Sequence, residues 1–439
     1  MDRRIKVIIV AHEFSPSQGS ECAVGWNIVM NLSRFHDLTV LYAKTNQFQT
    51  ADYEQSVLNF FNENGLPEGL TLIPVPQPFS TRFFVRVNSI IKSKSSAIGF
   101  APLYYIGYKW WQKAAYRIAA DLISNCKFDL VHQLTSISFR EPGYLWKLDL
   151  PFIWGPVSGM VRMPSSFYKD LKIGEFLFEI IRKMSNYLQS NFSIRVLTAS
   201  SKASVIYPVT PDDLKYFKKR NKGLLRPLLD VGSYSADLDK YTVNLDRLSG
   251  DRLKLIWIGR LVYTKALELL LNALAATGPL SDRIELTVIG EGPLSARYKD
   301  LSKKLHLKNI FWLGNIQHDK IFHYLRTSDV LIHTSIKEAT SAVILEALTL
   351  SVPVICHDAF GGSTAINAKC GIKIPLVSPN ISIKGFRDAL FFLINNPAEL
   401  ARFKEGARAR SKELSWEKTA EIIAGDYNTV LVNNERKSR

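Results

Sequence analysis

The 439-residue sequence is short of several things. It has four cysteines, Cys22, Cys126, Cys356 and Cys370, scattered with no Cys-x-x-Cys spacing. That argues against a disulfide framework or a zinc site and fits a reducing compartment. No uninterrupted apolar run approaches the ~20 residues of a spanning helix. The apolar stretch in MDRRIKVIIVAHEF lacks a small-residue cleavage site and is too short for a signal peptide, so it reads as a first buried strand of a cytoplasmic protein.

Acidic residues are the clearest deficit. Asp and Glu number 40 against 56 Lys and Arg, a net charge of +16. Residues 77–120 contain no acid at all. They hold seven basic residues (Arg82, Arg86, Lys92, Lys94, Lys109, Lys113 and Arg117) and ten aromatics, among them Phe83, Phe84, Tyr104, Tyr105, Trp110 and Trp111. Basic and aromatic residues on amphipathic segments suit an anionic membrane surface. The bland alternative is a solvated basic face. Stacking on single-stranded RNA is the third. No nucleic-acid recognition signature accompanies the charge, so no nucleic-acid partner is expected.

What is present is alternation. In the second half, apolar runs of strand length (Leu253–Gly259, Ile284–Gly290, Asn309–Gly314, Val330–Ser335, Pro353–Asp358) alternate with helical patterns. Short strands apolar on both faces, separated by helices, indicate a doubly wound parallel sheet. The first half repeats this at Lys6–Ala11, Leu38–Ala43, Phe128–Gln133 and Pro151–Gly155, with a strand candidate at 205–210. The expected fold class is α/β: two Rossmann-like doubly wound domains facing across a cleft. They are placed at 1–235, with the basic, aromatic insertion at about 77–120, and at 250–415. A helical end follows at 416–439. Ligands of such sheets bind beyond the carboxyl ends of the strands, hence in the cleft.

Four constellations carry chemistry. In Lys337-Glu338-Ala339-Thr340-Ser341-Ala342-Val343-Ile344-Leu345-Glu346, a loop leads into a helix start that offers free N–H groups near Thr340, Ser341 and Ala342 to a diphosphate. Glu338 and Glu346 are eight residues apart, on the order of 10 Å along a helix. That suits two carboxylates gripping different parts of one long ligand better than a hydrolase pair. In Gly259-Arg260-Leu261-Val262-Tyr263-Thr264-Lys265, Arg260 and Lys265 can converge on one anion across a strand-to-helix loop. In Phe14–Gly25, Gly19 and Ser20 sit at a helix start, again an anion or sugar site. His132 ends a buried strand in Asp129-Leu130-Val131-His132-Gln133-Leu134, where it is a cleft residue or a satisfied core histidine. The Asp237-Leu238-Asp239 pattern falls in the inter-domain stretch and reads as chance.

Glu-x7-Glu ahead of a strand resembles the hallmark of retaining GT-B glycosyltransferases of the family 4 type. Where that family has E-G-F-G-x-x-x-x-E-A, this chain has EATSAVILEA. Gly259–Lys265 is similar to the family's G-R-L-x-x-x-K, and Gly19-Ser20-Glu21 with Gly25-Trp26 is similar to a subgroup with GSE-x-x-x-G-W. The resemblance implies that Glu338 meets the donor hexose, Glu346 the ribose, and the backbone at 340–342 the diphosphate. It implies a UDP- or GDP-linked sugar as substrate, with no metal or other cofactor. The acceptor would be a glycan or lipid-linked glycan of polysaccharide assembly, at the inner face of the cell membrane. Ala339 and Ser341 replace glycines of the family pattern, and Leu134 replaces the second histidine of D-x-x-H-x-H. Both departures bear on donor identity and on whether His132 is catalytic. A sugar-nucleotide 2-epimerase of the same architecture and a non-catalytic nucleotide-sugar or glycan binder are the alternatives.

Overall fold

The apolar runs form strands, and the strands form two sheets. The computed structural model describes residues 4–91, 99–234 and 252–438. In the first half the strands are β1 (Lys6–Ala11), β2 (Asp37–Ala43), β3 (Leu70–Val75), β4 (Leu130–Thr135), β5 (Phe152–Val157), β6 (Val205–Pro208) and β7 (Leu224–Leu225). In the second half they are β8 (Leu253–Ile258), β9 (Ile284–Ile289), β10 (Ile310–Gly314), β11 (Val330–His333), β12 (Val354–His357) and β13 (Gly371–Ile374). The sheet orders are β3-β2-β1-β4-β5-β6-β7 and β10-β9-β8-β11-β12-β13. Every pairing among them is parallel. This is the doubly wound pair expected from the sequence.

The central strands explain why their sequences do not alternate. β4, β5, β11 and β12 are buried along their whole length, because helices cover both faces. β3, β7 and β13 are not legible as strands in the sequence. β3 carries Pro74 at a sheet edge, where a missing N–H is tolerated. β7 has two residues, and β13 begins at a glycine whose added Cβ would stand 2.0 Å from the Val354 carbonyl oxygen.

In each sheet the strand order reverses once, at the neighbours β1/β4 and β8/β11. Ligand crevices open at such switch points. The loops after these strands are stitched to each other. Glu13 N–H donates to Thr135 Oγ1 at 3.1 Å in the first domain, and Ile336 N–H to the Thr264 carbonyl at 2.8 Å in the second.

The basic, aromatic segment folds as helices Phe79–Ile91 and Ala101–Asn125. Asn88 Oδ1 takes the Phe100 N–H at 2.7 Å between them. Not all of its aromatics are surface residues: Tyr108 and Trp111 are buried, and Trp111 donates to the Val75 carbonyl at 3.2 Å. Phe79, Phe83, Phe100 and Trp110 remain exposed. Lys92 and Lys94 lie outside the described residues, as do positions 235–251 of the inter-domain stretch and with them Asp237 and Asp239.

The last helix, Trp416–Ser438, packs on helix Gly19–Leu32 of the first domain. Arg226 grips Asp426 with two bonds of 2.7 Å. Trp416 packs against Gly232, where a Cβ would be 2.7 Å from its ring. Tyr427 is fully buried and its hydroxyl lies 2.6 Å from His132 Nδ1. His132 Nε2 lies 2.7 Å from the Gly155 carbonyl, which can only accept, so Nε2 bears the proton and Nδ1 accepts from Tyr427. Burial pushes the His132 imidazole down to about 4, so it is neutral in the fold.

Among the described residues, several contacts join the domains, and Ser166 Oγ donates to the Val377 carbonyl at 2.5 Å. Met163 and Phe167 pack with Ala266, Leu269 and Ile336. Glu179, on helix Ile173–Phe192, accepts from Tyr263 Oη at 2.7 Å and from Lys337 Nζ.

Tyr427→Phe leaves a buried acceptor unpaired and is expected to cost about 1–3 kcal/mol. Tyr427→Ala also opens a cavity and is expected to cost about 3–5 kcal/mol. Urea unfolding followed by tryptophan fluorescence reads both. Because the His132 pKa is depressed, its contribution is present above pH ~6.5 and is lost as pH falls toward 4.

Candidate active site

The loop after β8 makes one tight turn, Tyr263–Lys265, and Ala266 then takes a left-handed φ of 47° before helix Leu267–Ala275 begins. This turn aims Lys265 at the loop after β11. Lys265 Nζ lies 2.7 and 2.6 Å from the two Glu338 oxygens. Thr334 Oγ1 fixes the turn by donating to the Lys265 carbonyl at 2.6 Å. On its other side Glu338 meets His333 Nε2 at 3.1 Å. Burial works against the Glu338 charge, but the His333 hydrogen bond and the Lys265 ammonium outweigh it. The carboxyl is held well below its usual range. Burial lowers His333 despite that partner, so it serves as a neutral donor.

Helix Ala342–Thr349 starts immediately beyond. Ser341 is its N-cap residue, but its side chain makes no capping bond. The first-turn N–H groups are therefore not answered by the cap hydroxyl. Thr340 is packed against Gly361, whose added Cβ would be 2.1 Å from the Thr340 hydroxyl. Asp230, from the first domain, is pushed up to about 7 by burial, moderated by the Thr340 hydroxyl. Glu346 has a partner of its own, His318 Nε2 at 3.0 Å. Arg260, directly after Gly259, is exposed and makes no ion pair among the described residues. The loop that holds it needs small neighbours: a Cβ on Gly290 would be 2.0 Å from the Gly259 carbonyl oxygen, and one on Gly292 2.4 Å from that of Leu261.

The first domain supplies the opposite wall. A cavity of about 350 Å³ is lined by Glu13, Glu21, Tyr105, Arg140 and Arg182 from that domain and by Glu338 from the other. Gly19 has φ +66° and opens helix Gly19–Leu32, with Ser20 in its first turn. Gly25 lets that helix approach the chain, since a Cβ there would be 2.4 Å from the Glu13 carbonyl oxygen. Trp26 packs on Phe14, Phe60 and Phe61. Glu13 Oε1 is 2.9 Å from His12 Nδ1. Glu21 lines the cavity and its side chain is open to it. Burial and the Glu13 charge push its carboxyl up to about 8, against hydrogen bonds from Ser136 and Ile137.

Residues 246–410 match the family model described as glycosyl transferases group 1. The match lies within the second half of the chain and takes in the strands β8 to β13. The chain is 26% identical over 260 residues to D-rhamnosyltransferase WbpZ of Pseudomonas aeruginosa, covering 57% of this chain and 62% of that protein. It is 25% identical over 177 residues to the glycogen synthase of Mycobacterium tuberculosis, covering 40% and 42%. It thus spans less than two thirds of the length of these relatives. Over the whole chain the fold is similar to sucrose-phosphate synthase from Thermosynechococcus elongatus, with TM-score 0.61 and 15% identity over 98% of this chain and 100% of that one. It is also similar to Anabaena HepE in complex with UDP, with TM-score 0.56 and 13% identity over 97% and 100%. These likenesses and the two parallel sheets make the fold GT-B.

Within the matched region, Lys265 and Glu338 come together beside the helix start at 341–342, while Arg260 is exposed on the loop after β8. His132 does not join them. The sequence reads it as the end of a strand and so as a catalytic candidate, but β4 runs on to Thr135, both ring nitrogens are spent on Gly155 and Tyr427, and the side chain is fully buried. It anchors the last helix instead. His333, Glu13, Arg140 and Arg182 belong to the site without standing out in the sequence. A histidine closing an apolar strand, as in VLIH, is the available signal for the first.

The raised Glu21 carboxyl binds its proton more tightly folded than unfolded. Its ionisation beside Glu13 therefore costs stability from pH ~4.5 up to about 8, a cost that solvent reaching the exposed side chain reduces. Glu21→Gln is expected to melt above the wild type at pH 8, with the two converging near pH 4–5. A difference in melting temperature that does not vary with pH would remove Glu21 from this role.

Proposed function

We propose that the chain is a retaining, metal-independent glycosyltransferase that moves a hexosyl group from a nucleotide-sugar, UDP- or GDP-linked, to a glycan or lipid-linked glycan acceptor of polysaccharide assembly. The observation that carries this is the pairing of Lys265 with Glu338, 2.7 Å apart, at the switch point of a group 1 domain and beside a helix start whose cap hydroxyl is not engaged. Support comes from the names of the relatives and from a GT-B neighbour described with UDP and glucose.

In this reading the donor diphosphate lies between Arg260, Lys265 and the N–H groups near Thr340, Ser341 and Ala342. The cations and the helix dipole stabilise the negative charge that grows on the leaving phosphate. Glu338, ionised and oriented by His333, accepts hydrogen bonds from the hexose hydroxyls. Glu346 accepts from the ribose, which displaces His318. Gly19 and Ser20 form the facing loop. The acceptor hydroxyl enters from the first-domain cavity and attacks the anomeric carbon on the face that the diphosphate leaves. The carbon–oxygen bond to the acceptor forms as the bond to the phosphate oxygen breaks, and that phosphate oxygen takes the acceptor proton. Configuration at the anomeric carbon is thereby retained. No protein nucleophile is used. Closure of the two walls keeps water from the donor. The protein works in the cytoplasm, with the basic helices of 77–120 turned to the inner face of the membrane.

The expected outcome for Arg260→Ala or Lys265→Ala is a fall in transfer by orders of magnitude. Thermal shift with nucleoside diphosphates and their sugars reads binding directly, since a ligand at 100 times its Kd adds about 2.7 kcal/mol. A shift with one base that Arg260→Ala abolishes supports the donor site. Normal turnover in either variant sinks the assignment.

A further inference from the structure

Helix Ile173–Phe192 is inside out. Its inward stripe is polar: Glu179 is held by Tyr263 and Lys337, Arg182 lines the cavity, Asn186 donates to the Gly159 carbonyl at 3.2 Å, and the Ser190 carbonyl accepts from Tyr216 at 2.7 Å. These positions recur every three or four residues and so share one face. The opposite face is apolar and faces solvent. Phe176, Leu177, Phe178, Ile181, Met184 and Leu188 are between 40% and 67% exposed. A helix on a water-facing surface normally has the reverse arrangement.

The charges around this face have one sign. Lys172 and Lys183 are exposed at it. The two carboxylates of the helix are occupied, Glu175 at the N-terminal cap and Glu179 at the inter-domain contact. A second apolar element belongs to the segment whose Tyr105 lines the same cavity. Phe79, Phe83 and Phe100 are exposed beside Arg82 and Arg86, on the segment that has no acid. Tyr105 of that segment and Arg182 of the inverted helix line one opening. No helix among the described residues is long and apolar enough to cross a membrane. Twenty residues at ~1.5 Å each give a rod of about 30 Å with a wide apolar face, which suits lying in the interface.

We propose that helix Ile173–Phe192 docks the protein on an anionic bilayer, lying in the membrane plane with its apolar face among the acyl chains and Lys172 and Lys183 at the headgroups. The exposed phenylalanines of helix Phe79–Ile91 and Phe100 form a second foothold across the cavity. The cavity then opens toward the membrane, between two footholds. The docking does not rest on the transferase reading, and its test involves no turnover.

The full chain is floated with vesicles of phosphatidylglycerol and phosphatidylethanolamine, and with phosphatidylcholine alone. Binding to the anionic vesicles is expected to exceed binding to the neutral ones and to weaken in high salt. The variant Leu177→Glu/Ile181→Glu/Met184→Glu is expected to lose at least tenfold in vesicle affinity while keeping the wild-type melting temperature, because these side chains support no core. Phe311→Glu, at an exposed position of β10, is the surface control and is expected to bind as the wild type does. A triple variant that floats unchanged, or a wild type that does not float, overturns the proposal. So does a wild-type dimer in light scattering that the triple variant turns into a monomer, which would assign the face to a second copy of the chain.

Discussion

Glu179 is a charged point at which the two domains meet. It leaves the first domain almost fully desolvated and accepts from two groups of the second, Tyr263 and Lys337. A buried carboxylate is tolerable only when paired and hydrogen-bonded, and removing one partner strands the other charge. Burial and the nearby Arg182 lower the Lys337 ammonium, and the Glu179 carboxylate opposes that lowering. The consequence runs along the chain in both directions. Lys337 is the neighbour of Glu338, and Tyr263 opens the turn that ends in Lys265. One carboxylate thus braces the two loops whose tips form the candidate active site. The same residue fixes which face of helix Ile173–Phe192 turns inward, and hence which face is left outside.

The site beneath this brace is electrostatically ordered before any ligand arrives. Lys265 and Glu338 neutralise each other, and His333 adds a neutral donor whose place is set by its own burial. Across the cleft the balance is different. Glu13 and Glu21 stand close enough that one discourages ionisation of the other, while Arg140 and Arg182 face the same space. The wall on the second domain is suited to a diphosphate. The wall on the first carries both signs of charge and three tyrosines, a surface for a polar, hydroxyl-rich group rather than for a second simple anion.

Much of this is legible in the sequence because the second domain is built from fully buried parallel strands. A run such as LKLIWIG can be little else between two helical patterns, and of the glycines that close three of the runs, Gly290 marks a loop packed too tightly for a Cβ. The Glu338 and Arg260–Lys265 patterns are legible for the same reason, since short loops keep site residues at fixed distances from their strands. The edges are not. β3, β7 and β13 are short or interrupted, and their apolar patterns are no stronger than those of a loop. His132 misleads because the strand runs three residues beyond it, which the sequence does not show. Gly155, on the neighbouring strand, and Tyr427, 295 positions away, engage both ring nitrogens and make it structural. Helix Ile173–Phe192 escapes for a subtler reason. Hydrophobic periodicity announces a helix and a face, but not which way the face points.

The closed Lys265–Glu338 pair has one more implication. An empty site with a bare lysine would attract any passing phosphate or chloride. Here an incoming anion must first compete with a carboxylate already touching the ammonium through both oxygens. A small monoanion gains too little to do so. A ligand that brings a diphosphate for the lysine and hydroxyls for the released glutamate compensates both partners at once. In the proposed donor reading, the ion pair therefore selects for a ligand that carries two chemically different ends.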